Sequence, residues 1–149
     1  MQALILSGGG AKGAFAAGVV THMIREENMT FDLAIGTSTG ALVGGPALLG
    51  DWTYLRDVYI GVNDPDILKN TLLGKIFSLF VSGSVPIQAN LDPLRKLLHD
   101  YYIKKKNLEK LNNQGKNLIV ATVSVKTGII NYVSSTQVPG AISADTFLD

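Results

Sequence analysis

Cysteine is absent from the 149-residue sequence, and histidine occurs only as His22 and His99. Without thiols there is no disulfide, no thiolate nucleophile and no cysteine-based metal site. Two histidines also exclude a histidine-rich metal cluster. Charged residues are sparse at 17%, and 13 basic against 12 acidic side chains leave a formal net charge of +1. That balance gives no electrostatic basis for binding nucleic acid. The one run of like charge, Lys104-Lys105-Lys106, reads as a solvated helix end. No uninterrupted apolar run reaches the roughly 18 residues of a membrane span. The opening Met1-Gln2-Ala3-Leu4-Ile5-Leu6-Ser7 has no basic leader and runs into glycines, so it reads as a buried strand and not as a signal peptide. The expected localisation is cytoplasmic, with peripheral contact to a membrane left open.

What remains is apolar material, 46% of the residues, enough for the core of one domain. Ala3 to Ser7 is a short apolar run stopped by Gly8-Gly9-Gly10, the pattern of a strand covered on both faces. Gly13 to about Glu27 is Ala-rich and helical, with Phe15, Val19 and Met23 forming its apolar side. Phe31 to Gly36 is a second strand ended by glycine. Ala41 to Leu49 reads as a helix that Pro46 should kink or end, and Trp52 to Ile60 as another. Asp64-Pro65 and Asp92-Pro93 mark helix starts, the second followed by the stripe Leu94, Leu97, Leu98 and Tyr101. Lys116 to Lys126, the turn Lys126-Thr127-Gly128, and Ile129 to Ser134 form a β-hairpin. Alternating strand, glycine loop and helix predicts a parallel sheet with helices on both faces, its first two strands close neighbours. Both glycine loops then stand at the carboxyl ends of strands, where such sheets build their sites.

Gly36-Thr37-Ser38-Thr39-Gly40 fits G-x-S-x-G between a strand and a helix. The flanking glycines lack a Cβ that would crowd so tight a turn. A hydroxyl there projects at a helix N-terminus, where free N–H groups and the dipole favour developing negative charge. Read without that context, the same residues are an ordinary helix-capping turn. Upstream, Gly8-Gly9-Gly10-Ala11-Lys12-Gly13 joins the first strand to the first helix. Adjacent glycines let several N–H groups converge into an anion nest, suited to an oxyanion. Gly8, Gly10 and Gly13 also match G-x-G-x-x-G, a dinucleotide fingerprint. That reading wants an acid at the end of the second strand, whereas Asp32 stands before it.

The early G-G-G-x-K-G loop and the later G-T-S-T-G together resemble the patatin-like phospholipase family. The similarity is close at Ile35 to Ala41 and extends more weakly to the Asp92-Pro93-Leu94 helix start and the Lys126-Thr127-Gly128 hairpin. It implies a three-layer α/β/α sandwich with a mainly parallel sheet and hydrolysis of fatty-acyl esters of lipids without metal or organic cofactor. It implies Ser38 as nucleophile, flanked in its turn by Gly36, Thr37, Thr39 and Gly40. It also implies Gly8, Gly9, Gly10, Ala11, Lys12 and Gly13 as the oxyanion loop. The family's base is an aspartate in an Asp-Gly-Gly or Asp-Gly-Ala segment, and no Asp-Gly occurs in this sequence. Residues 1–149 are therefore expected to be the N-terminal portion of one acyl hydrolase domain, with Asp145 and Asp149 not filling that role. His99 and His22 read as helix-face residues. Residues 72–87 read either as a lipid-facing lid or as a buried helix. Two other functions stay open: a nucleotide- or phosphate-binding module using the glycine loop, and a catalytically incomplete fragment.

Overall fold

Alternation of apolar residues sets the sheet. In the computed structural model, which describes residues 1–60, 92–124, 126–136 and 142–143, five strands lie side by side in chain order. They are β1 (Ala3–Leu6), β2 (Leu33–Thr37), β3 (Asn117–Val123), β4 (Ile130–Ser134) and β5 (Ile142–Ser143). β1, β2 and β3 run parallel, β4 returns antiparallel to β3 as the predicted hairpin, and β5 pairs parallel to β4. The fold is the expected α/β class with a mainly parallel sheet. Leu6 pairs with Gly36, so the glycine loop and the serine turn leave the sheet at one level.

Helix α1 spans Gly13–Arg25, α2 Thr39–Leu48 and α3 Trp52–Ile60. Helix α4 (Asp92–Leu98) runs into a π-helical stretch, His99–Lys104, and α5 follows at Asn107–Asn113. α2 packs on β1, β2 and β3, and α1 packs on α2 and α3. α2 is rich in small residues, so its backbone lies close to the sheet. A Cβ on Gly44 would stand 3.1 Å from Leu118 Cδ1 and 3.3 Å from Ala34 Cβ. Around this contact Ala34, Val43, Ala47, Leu48, Leu118 and Val120 form the buried core.

Three expectations change. Pro46 lies inside α2, and the helix continues to Leu48 before Gly50 turns at φ 67°; a proline in the last turn interrupts too little of the ladder to end it. α1 buries Gly13, Ala17 and Val20, while Phe15 is 77% and Val19 43% exposed. The inward residues are those on the side of α1 that packs against α2 and α3. β1 is covered on one face only among the described residues, with Ile5 75% exposed. Other features hold: β1 and β2 are neighbours, α3 and α4 begin where the sequence places them, and Lys104, Lys105 and Lys106 are exposed at the end of the π-helical stretch. The Asp64-Pro65 start and residues 72–87 lie outside the described residues.

Polar anchors fix the helix ends. Asp51 Oδ1 accepts from the Tyr54 N–H at 3.2 Å and the Thr53 hydroxyl at 3.0 Å, capping α3. Its Oδ2 accepts from the Tyr101 hydroxyl at 3.2 Å. Lys116 Nζ donates to the Leu48 carbonyl at 2.5 Å, satisfying an acceptor that the end of α2 leaves free.

Candidate active site

β2 ends at Thr37, and α2 begins at Thr39. Ser38, the single residue between them, has φ 53° and ψ −125°. This is the mirror-image extended region that glycine visits freely and L side chains avoid. An ordinary serine cap has β-region angles and accepts from an N–H of the first helical turn. Ser38 has neither those angles nor a side-chain capping bond. The turn is held instead by the Ala41 N–H donating to the Ser38 carbonyl at 2.9 Å. The simple capping reading therefore fails, and Ser38, a half-buried residue, does not spend its hydroxyl on the cap.

The flanking glycines are sterically fixed. A Cβ on Gly36 would lie 2.5 Å from Ala41 N, and one on Gly40 would lie 2.5 Å from the Leu6 carbonyl oxygen. Thr37 is exposed, whereas Thr39 is buried at 6%, its hydroxyl without a hydrogen-bond partner among the described residues.

The glycine loop meets this turn directly. A Cβ on Gly8 would stand 3.1 Å from Ser38 Cβ and 3.2 Å from the Thr37 carbonyl oxygen. One on Gly13 would stand 2.8 Å from Thr39 Cβ. Both ends of the predicted loop thus touch the serine turn. Between them Gly10 takes φ 55°, and Gly10–Lys12 form a 3₁₀ turn closed by the Lys12 N–H donating to the Gly9 carbonyl at 3.0 Å. Lys12, at the N-cap of α1, makes no side-chain capping bond, so the first N–H groups of the helix lack that acceptor. The loop residues Gly8 to Gly13 and the turn residues Gly36 to Gly40 form one constellation around Ser38.

The remaining sequence candidates lie elsewhere. His22 pairs with Glu27 at 3.5 Å and His99 with Asp100 at 3.8 Å, each on an exposed helical surface. Asp32 sits before β2, accepting from the Gln2 N–H at 2.7 Å and pairing with the amino terminus at 3.7 Å. It is therefore at the opposite end of the strand from the loop, about 16 Å away over five residues. A dinucleotide site would need that acid beside the glycines. No group of three or more potential metal ligands occurs among the described residues.

The Patatin-like phospholipase family matches residues 4–143. The chain belongs to the patatin-like phospholipase family. No curated protein and no solved structure matches it. Membership makes this protein a lipid hydrolase in the family's broad sense, with lipids as its substrate class. The matched span includes the whole constellation and reaches all five strands, beginning at the second residue of β1.

One feature of this patatin-like protein was not legible in its sequence. A cavity of about 70 Å³ lies against α2, lined chiefly by Leu42, Leu98, Tyr102, Leu118, Val120 and Val133. Ala41 and Leu42, one helical turn beyond Ser38, form one wall. Tyr102 is buried, and its hydroxyl has no hydrogen-bond partner among the described residues; burial raises its pKa. The π-helical stretch lets adjacent Tyr101 and Tyr102 both turn inward, which the regular stripe predicted from Leu94 to Tyr101 does not anticipate.

Proposed function

We propose that the protein hydrolyses fatty-acyl esters of lipids through nucleophilic attack by Ser38. The observation that carries this reading is the strained, uncapped conformation of Ser38 with the Gly8 backbone against its Cβ. In the reaction the Ser38 oxygen adds to the ester carbonyl, and its proton passes to an aspartate, the base of the family's Ser-Asp dyad. No Asp-Gly occurs within residues 1–149, and no residue of this sequence is assigned as that base. N–H groups of the Gly8 to Gly13 loop stabilise the tetrahedral oxyanion, a role in which one donor typically contributes about 3 kcal/mol. Collapse expels the alcohol, and water hydrolyses the acyl-serine. The apolar lining of the small cavity one turn from Ser38 supports an apolar group on that side of the serine.

Release of p-nitrophenol from an acyl ester by the intact protein, compared with Ser38→Ala, tests the reading. Loss of turnover by at least about a thousandfold, with an unchanged melt, is expected. Undiminished turnover by Ser38→Ala contradicts it.

A further inference from the structure

Helix α1 buries Val20 in the core and packs Met23 and Ile24 against it, yet presents two apolar side chains to solvent. Phe15, two residues beyond the last glycine of the loop, is 77% exposed, and Val19, one turn on, is 43% exposed. Residues i and i+4 share a helix face, so the two form one ridge. Lys12, just before the helix, is exposed and makes no ion pair among the described residues. No acidic residue occurs from Met1 to Arg25. The first acids, Glu26 and Glu27, lie beyond the far end of α1, about 20 Å from Gly13, where they pair with Arg25 and His22. The outer face of the first half of α1, with the neighbouring Lys12, is therefore apolar and cationic, and the first acids of the chain lie at the far end of the helix. A helix facing water shows polar side chains outward; apolar residues beside a cation suit the boundary of an anionic bilayer.

We propose that this face, carrying Lys12, Phe15 and Val19, docks the protein on a phospholipid bilayer. Phe15 and Val19 enter the acyl boundary, and Lys12 meets lipid phosphates. Because Gly13 packs against Thr39 beside Ser38, docking through this face sets the mouth of the candidate site at the lipid surface. The inference rests on the acyl-hydrolase reading only for the substrate being in that surface.

Co-sedimentation with phosphatidylcholine vesicles, with and without phosphatidylglycerol, tests it in a Ser38→Ala background that leaves the lipid intact. Phe15→Ser should weaken binding about tenfold, and Phe15→Leu should retain it. Lys12→Gln should lower binding about fivefold to anionic vesicles only. Equal binding by the parent and Phe15→Ser, both folded, overturns the proposal. So does a parent that ignores vesicles but self-associates through Phe15. Turnover of a short soluble ester by otherwise wild-type protein and Phe15→Ser should be equal. Absent turnover in both counts against the catalytic reading, while the vesicle result still decides the docking face.

Discussion

Ser38 holds φ 53° and ψ −125°, and two substitutions separate the cost of that backbone from the chemistry of the hydroxyl. Ser38→Ala removes the hydroxyl and keeps a Cβ in the strained conformation. Ser38→Gly removes both. Strain of this kind costs about 1–3 kcal/mol. Glycine returns part of it by gaining freedom in the unfolded chain, about 0.4–1 kcal/mol. Ser38→Gly should therefore be more stable than Ser38→Ala by about 1 kcal/mol, or roughly 2–4 °C in Tm for a chain of this size. Urea and thermal melts of the two variants, side by side, measure the difference. Neither should hydrolyse an ester. A glycine variant that melts at or below the alanine variant would mean that the turn is unstrained, and the structural basis for Ser38 as an activated nucleophile would go with it.

Gly8→Ala places a methyl 3.1 Å from Ser38 Cβ, so the loop must move by a few tenths of an ångström. Ester turnover should fall about a hundredfold, with stability lowered by only about 1 kcal/mol; steady-state kinetics and melts read the two effects separately. Gly45→Ala directs a methyl into the Tyr102 hydroxyl, overpacking the contact between α2 and the π-helical stretch. Chemical denaturation should show a loss of about 1–3 kcal/mol. Burial pushes Tyr54 and Tyr59 up to about 12. Folded protein therefore keeps protons that the unfolded chain releases from about pH 10. Stability should be unaffected by these groups below pH 10 and decline between about 10 and 12, seen as tyrosinate absorbance rising together with loss of helical circular dichroism.

The site was legible where covalent necessity writes it. Gly8, Gly13, Gly36 and Gly40 are positions at which a Cβ meets backbone or the serine turn itself, so the residue types report the geometry. The hairpin was equally plain, because Gly128 turns at φ 68° between two β-rich runs. Side-chain direction on α1 was not. Periodicity singles out Phe15 and Val19 as an apolar stripe, but packing of α1 against α2 and α3 buries Gly13, Ala17 and Val20 instead. The cavity beside α2 was equally hidden, since residues from α2, α4, α5 and two strands meet there across long sequence distances. The π-helical stretch that seats Tyr101 and Tyr102 breaks the helical period that sequence reading assumes.

Labelling with a fluorophosphonate, followed by mass-spectrometric mapping of the modified residue, addresses the serine most directly. An adduct on Ser38, sharply reduced in Gly8→Ala, is the predicted outcome, because the probe needs both an attacking oxygen and donors facing the phosphoryl oxygen. An adduct confined to another serine, or labelling of Ser38 that ignores the change at Gly8, would contradict it.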